Sequence, residues 1–295
     1  MLSLKHLYYK KHAVYNTLLK ISYAINFNTD IRITIVHDYN FESKSYVITG
    51  GSSGIGRSLS LELDSRGAQV IVVGRNRSKY ESLIEESSNR NIEFIEADLC
   101  VIEDIRKVQK KIESLDRLDG IVNNASRNSR FNILETTEQE WFSMTNLNMT
   151  SFFLLSKSAI KVFLRKEKGG KIINVGAVQS LLPLQSSFPY VSTKGGILSM
   201  TRSIAADFSS KNILVTTVIP GPILTRKERI TSIDGLNRRA ATLVGRMGNA
   251  AEVSDLILFL LSDMNTFMTG NEIVVDGGRI ISRLPDPKEI RDGVL

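Results

Sequence analysis

The feature that most constrains this chain is the stretch 45–57, SYVITGGSSGIGR. Residues 46–48 are aromatic and β-branched, as suits a buried strand. Gly50, Gly51, Gly54 and Gly56 follow, and residues 57–63 read as a helix start with Leu59 and Leu63 on one side. Strand, glycine turn and helix N-terminus together cradle a pyrophosphate. Glycines admit close backbone approach, and the helix end offers unpaired N–H groups and a favourable dipole. Three residues separate Gly50 from Gly54 and one separates Gly54 from Gly56, which is not the common dinucleotide spacing. Nor does a Gly-Lys-Ser/Thr close the turn, so an ATP-type loop is excluded. Taken alone, the stretch also suits a tight turn without a ligand.

Beyond it, strands and helices alternate. The run 69–73, QVIVV, is closed by Gly74; 79–87 reads as a short helix; 92–95 is strand-like and ends at Glu96-Ala97-Asp98. Residues 102–115 are helical in pattern, and 119–122 runs as a strand into Asn123-Asn124-Ala125. A long helical pattern over 138–163 carries Trp141, Phe142, Phe152 and Phe153 as packing residues, and 171–175, KIINV, is a fifth strand. This rhythm predicts an α/β fold: one doubly wound parallel sheet of the Rossmann type, over residues 45–280.

Composition narrows the chemistry. The three histidines, His6, His12 and His37, all precede the glycine turn, so the body from residue 45 has none. That argues against a Ser-His-Asp hydrolase and a histidine-ligated metal, and leaves Tyr, Lys, Asp, Glu or Cys for proton transfer. The single cysteine, Cys100, excludes an internal disulfide and a cysteine-cluster metal site and fits a reducing, cytoplasmic setting. No metal is expected. The net charge of +7 favours anions such as phosphates but is weak grounds for nucleic acid, and no nucleic-acid partner is expected. No apolar run reads as a transmembrane segment.

Residues 1–44 depart from the rhythm. Lys5, Lys10, Lys11 and Lys20 precede the first acid, Asp30, and apolar residues among them suit an irregular amphipathic helix. The extension reads as an assembly arm, as a basic targeting (including organellar) or membrane-surface segment, or as an overlong start not needed for folding. Residues 31–36 alternate enough for an extra strand.

Two further clusters bear on a site. Gly74 is followed by Arg75, Asn76 and Arg77, with no acid where an unphosphorylated ribose is usually held. Arginines there suit a 2′-phosphate, and so NADP(H) over NAD(H), or are simply solvated loop charge. Asp98 could accept from an adenine amino group or cap the following helix. Tyr190 and Lys194, four apart in PYVSTKGG, share a helix face, where an ammonium would lower the tyrosine pKa. Asn148 lies mid-helix among apolar residues, where an amide needs partners.

From about residue 45 to about residue 280 the chain resembles the short-chain dehydrogenase/reductase family, in particular its 3-oxoacyl-carrier-protein reductases and glucose/polyol dehydrogenases. The turn 49–56, TGGSSGIG, matches the family pattern. Asn123-Asn124-Ala125 matches the motif after the fourth strand, with Ser126 in place of the usual glycine. Residues 141–148 match the segment of the active-site asparagine, and Tyr190 with Lys194 the catalytic pair. Pro220-Gly221 with Thr225, Gly245-Arg246, residues 251–253, Thr269-Gly270 and Asp276-Gly277-Gly278 complete the series. The resemblance implies that Tyr190 transfers the proton at a carbonyl or alcohol oxygen. Lys194 would lower its pKa and hold the nicotinamide ribose, and Asn148 would position a water. Gly50, Ser52, Ser53, Gly54, Ile55, Gly56, Arg75, Arg77, Asp98, Leu99, Asn123, Ala125, Pro220, Gly221, Ile223 and Thr225 would line the cofactor. A homotetramer, or else a dimer, is implied, paired through the helices around Asn148 and after Tyr190 and through the last strand around Ile273.

One departure matters. The family's serine thirteen residues before the tyrosine is Ala177 here, which offers no donor. Gln179, Ser180, Ser186 or Ser187 could substitute if the loop is remodelled. Leu181, Leu182, Leu184, Phe188 and Met247 could line an aliphatic pocket. The variable lid, about 225–247, carries Arg226, Lys227, Arg229, Arg238, Arg239 and Arg246, which suit an anionic substrate or a charged helix face. The reading is an NADP(H)-dependent oxidoreductase interconverting a ketone and a secondary alcohol, with a 3-oxoacyl thioester as substrate class. The alternatives are a sugar/polyol dehydrogenase, an enoyl/dienoyl thioester reductase, or a cofactor-binding regulator weakened by Ala177. Residues 281–295 read as a tail.

Overall fold

Every residue of β1 (Ser45–Thr49) is buried, and its alternate side chains serve opposite faces. Val47 joins the apolar layer on one side, Tyr46 and Ile48 the layer on the other. The same division holds in β2 (Gln69–Gly74), with Ile71 and Val73 on the first side and Val70 and Val72 on the second. Strands buried on both faces read as continuous apolar runs, and this is why the QVIVV pattern lacks polar alternation.

The computed structural model describes residues 39–225 and 242–283. The amphipathic helix and the strand at 31–36, the lid residues Arg226, Lys227, Arg229, Arg238 and Arg239, and the tail from residue 284 lie outside the described residues.

The remaining strands of the main sheet are β3 (Ile92–Glu96), β4 (Gly120–Asn123), β5 (Gly170–Val175), β6 (Ile213–Pro220) and β9 (Glu272–Val275). They run parallel in the order β3-β2-β1-β4-β5-β6-β9, and a separate two-residue pair joins β7 (Ile223–Leu224) to β8 (Gly248–Asn249). The helices are α1 (Gly54–Ser65), α2 (Arg77–Glu86), α3 (Ile102–Glu113), α4 (Glu138–Thr145), α5 (Ser151–Lys166), α6 (Phe188–Phe208) and α7 (Ala250–Leu261). On one face α3 and α5 bury Ile105, Val108, Ile112, Leu155, Val162 and Phe163. On the other, α1 and α7 bury Leu59, Leu63, Val253, Ile257 and Leu260. Each such side chain is worth about 1.5–3 kcal/mol of transfer free energy. The doubly wound α/β fold is therefore as the sequence implies.

The pattern read as one helix over 138–163 is interrupted. A π-helical turn, Asn146–Thr150, joins α4 to α5. The run Glu138–Lys166 is long and apolar enough to match a membrane span, yet 56% of its apolar window is buried within the fold. It is a core helix by packing.

The chain builds β1, β2 and β3 outward in one direction, then returns to place β4 on the other side of β1. Between the ends of β1 and β4 the sheet order reverses, which opens a crevice at the carboxyl edge.

Candidate active site

The crevice is built by the residues that leave each strand. Thr49 ends β1, and its hydroxyl oxygen accepts the amides of Asn124 and Ala125, both at 2.9 Å. Asn124 donates from Nδ2 to the Thr49 carbonyl at 2.9 Å. The exit of β4 is thus bonded to the entry of the glycine turn. Gly50 has φ 66°, a left-handed conformation that favours glycine. A Cβ on Gly56 would lie 2.5 Å from the Gly50 carbonyl oxygen, so only glycine lets α1 start this close behind the turn.

A cleft of about 1330 Å³ opens above these strand ends. Gly50, Ser52, Ser53, Gly54 and Ile55 form its floor at the start of α1. Ser53 makes no side-chain capping bond there, and the first turn of α1 holds no acid. The helix end therefore keeps its N–H groups for an anion. From β2 and β3 come Gly74, Arg75, Asp98 and Leu99; from β4, Asn124 and Ala125; from β6 and beyond, Pro220, Gly221, Ile223 and Thr225.

Arg75 is 66% exposed and places Nη1 3.4 Å from Asp98 Oδ2. Burial works against the Asp98 carboxylate, but the Cys100 amide and Arg75 outweigh it and hold its pKa below the ordinary value. Asp98 does not cap α3; its Oδ1 accepts from the Cys100 amide at 3.0 Å.

Several sequence expectations need correction. Arg77 points away from the cleft, because Nε bonds Glu96 Oε2 at 3.2 Å and the guanidinium lies 5.6 Å from the centre of the Phe94 ring. Asn123 is fully buried below the cleft and spends its amide on Ser156 Oγ and Asn174 Oδ1 at 3.0 and 2.8 Å. Gly56 packs behind the turn and does not line the cleft. Ser180 is not placed to replace the missing serine, because it lies outside the cleft lining and its hydroxyl donates to the Ala177 carbonyl at 2.7 Å. Among the described residues, Ser180, Leu181, Leu182, Leu184, Phe188 and Met247 do not line the cleft, whereas Ala177 and Gln179 do. Arg246 is engaged by Glu252 at 2.6 and 2.8 Å. The sequence reading missed Arg57, Lys79, Asn124 and Asn128 as lining residues. Only Asn124 had a signal, its place beside Asn123 in the matched motif.

Tyr190 and Lys194 enter from the first turns of α6 and line the inner cleft. Lys194 is fully buried, and Nζ donates to the Val175 carbonyl at 2.7 Å. Burial lowers its pKa to about 7. Tyr190 is pushed up to about 12 by burial, while the Ser126 side chain works in the opposite direction. The expected lowering of Tyr190 by Lys194 is therefore not found. The ammonium lies 5.9 Å from the Tyr190 ring centre, and its bond goes to Val175. Asn148 is buried in the π turn, with Nδ2 donating to Thr193 Oγ1 at 3.0 Å, and Thr193 Oγ1 donates to the Tyr190 carbonyl at 2.9 Å. Such turns concentrate at functional sites.

A family model described as enoyl-(acyl carrier protein) reductase matches residues 50–279. The 3-oxoacyl-acyl-carrier-protein reductase of Vibrio harveyi is 31% identical over 244 residues, covering 81% of this chain and 98% of that protein. That of Aquifex aeolicus (strain VF5) is 29% identical over 246 residues, covering 82% of this chain and 99% of that protein. A solved short-chain dehydrogenase from Bacillus anthracis superposes with a TM-score of 0.73 at 28% identity, covering 82% of this chain and 98% of that one.

The chain belongs to the short-chain dehydrogenase/reductase family. As a member it is an NAD(P)-dependent oxidoreductase. The residues present suit the dinucleotide that short-chain dehydrogenase/reductases use. Gly50 and Gly54 put no side chain into the floor, the end of α1 keeps free N–H groups, and Arg75 stands at the exit of β2. When bound, the nicotinamide supplies or takes up the hydride.

Proposed function

We propose that the chain interconverts a ketone and a secondary alcohol with NADP(H), acting on a 3-oxoacyl thioester. The observation that carries the chemistry is a buried tyrosine and lysine facing one cleft beside the glycine turn. With its pKa near 12, Tyr190 is protonated at neutral pH and is ready to give its proton to a carbonyl oxygen. In the reverse direction the same oxygen takes the proton from the alcohol. Lys194 is poised by burial near neutrality, and an anion beside it would favour its charged form. Asn148 holds Thr193 at the foot of the tyrosine and is a positioning residue. The preference for NADP(H) rests on Gly74 at the end of β2 and the exposed Arg75 guanidinium facing the cleft, with Lys79 lining it nearby.

The thioester assignment is supported by the names of the reductases from Vibrio harveyi and Aquifex aeolicus. A second reading, reduction of an enoyl thioester, is favoured by Ala177 and by the description of the matching family model. In that reaction a hydroxyl at position 177 is less needed. Assay of the full chain with NADPH on 3-oxoacyl thioesters, enoyl thioesters, ketoses and simple ketones tests the choice. Turnover of 3-oxoacyl thioesters above the rest is expected; preference for enoyl thioesters or ketoses overturns it. A homo-oligomer, tetramer or dimer, is part of the same proposal.

A further inference from the structure

The exits of β4 and β5 differ from the family pattern in opposite senses. At the exit of β5, Ala177 replaces a serine; at the exit of β4, Ser126 replaces a glycine. One position has lost a hydroxyl and the other has gained one. Both line the cleft that Tyr190 enters. Ser126 is exposed to that cleft, and its Oγ donates to Asn148 Oδ1 at 3.1 Å. Asn148 is itself held from the far side, with Nδ2 3.0 Å from Thr193 Oγ1 and 2.9 Å from Met144 Sδ. The amide cannot turn freely, so its oxygen is a fixed acceptor that aims the Ser126 hydroxyl. Asn148 links the two sides of the site, because Thr193 Oγ1, which it holds, donates to the Tyr190 carbonyl at 2.9 Å, and Ser126 and Tyr190 line the same cleft.

We propose that Ser126 is a further catalytic residue, whose Oγ–H holds the substrate oxygen beside the Tyr190 hydroxyl and so replaces the donor missing at Ala177. This rests on the carbonyl chemistry proposed above. A serine hydroxyl has one proton and two lone pairs. In the resting site the proton is given to Asn148 Oδ1. Rotation about the Cβ–Oγ bond transfers that hydrogen bond to an incoming carbonyl oxygen. For a neutral carbonyl the exchange is unfavourable, because the buried Asn148 oxygen loses its donor. As the oxygen becomes negative the new bond is charge-assisted and stronger. The gain therefore falls in the transition state, where it raises turnover. The proton that moves to the substrate comes from Tyr190, and Ser126 ends with the proton it began with. Loss of one oxyanion donor in other enzymes costs about 10²- to 10³-fold. Freeing the Asn148 oxygen offsets part of this, so the effect here is on the order of tenfold.

The test compares purified wild type, Ser126→Ala, Ala177→Ser and the double variant, with NADPH and the thioester and ketone panel. Ser126→Ala is expected to lower kcat about tenfold while leaving the KM for NADPH unchanged. Ala177→Ser in that background should restore at least part of the loss. A hydroxyl on another strand cannot rebuild the bond to Asn148, so rescue separates a role at the substrate from a structural one. An unchanged kcat in Ser126→Ala overturns the proposal alone, as does a loss that Ala177→Ser fails to relieve. If wild type turns over none of the panel, the function and this proposal fall together.

Discussion

The Nζ of Lys194 lies 2.7 Å from the carbonyl oxygen of Val175, the last residue of β5, and is fully enclosed. Burial holds its pKa at about 7, against 10.5 for the free side chain. Between those two values the unfolded chain binds a proton that the folded chain does not, so Lys194 makes unfolding harder as pH rises. Below pH 7 the enclosed charge weighs fully against the fold. Lys194→Met removes this dependence. The Tm of the variant minus that of wild type, without cofactor, should be most favourable near pH 6 and fall toward pH 10. A tenfold change in proton affinity is worth about 1.4 kcal/mol, roughly 3–5 °C of Tm. A difference that stays flat from pH 6 to pH 10 counts against the buried, weakly basic lysine.

Tyr190→Phe removes the proton donor and little else. Turnover should fall by about 10²- to 10⁴-fold, with the Kd for NADPH within about twofold of wild type. Steady-state kinetics and direct titration read the two effects separately. Retained turnover would move the proton source elsewhere.

Arg75 and Arg77 separate the site from the surface. NADPH should bind more tightly than NADH by about tenfold or more, the worth of one charge-assisted bond. Arg75→Glu should erase the preference, while Arg77→Glu, whose parent side chain faces Glu96, should leave it. Calorimetric titration of both cofactors decides, and equal loss in the two variants would show that general charge sets the preference.

The faces of α4 and α5 carry Phe142 at 61% and Phe153 at 50% exposure, more apolar area than a solvated helix needs. Light scattering should give a tetramer or dimer at micromolar concentration, and Phe153→Asp should shift it to a smaller species. A stable wild-type monomer would remove the proposed assembly.

Strands read most clearly where both faces are buried. The QVIVV run became β2, but β6, with ILVTTVIP buried throughout, is absent from the segments read from sequence. Its threonines dilute the apolar run, although Thr216 and Thr217 are as buried as their neighbours. The glycine turn, Tyr190 and Lys194 were legible because their spacing is local. Direction was not. Asn123 and Asn124 are adjacent, yet strand alternation sends the first into the core and leaves the second at the cleft. Arg75 and Arg77 divide because α2 begins between them and Glu96 captures the latter. Ser180 looked free in the sequence, but the turn after β5 folds its hydroxyl onto its own backbone.

The polar row beneath the cleft has a consequence for alignment. Asn123 of β4 is paired in register with Asn174 of β5, and Asn174 with Thr217 of β6. Asn174 also donates to Thr201 of α6 at 2.8 Å, and Thr201 meets Thr217 at 2.7 Å. A slip of one residue between these strands would set an amide against an aliphatic neighbour and bury it unmatched. Apolar packing tolerates small sliding, but a row of directional bonds does not. The row therefore works as a keyway: it indexes three strands against one another and sets the depth of the helix that brings Tyr190 to the strand ends.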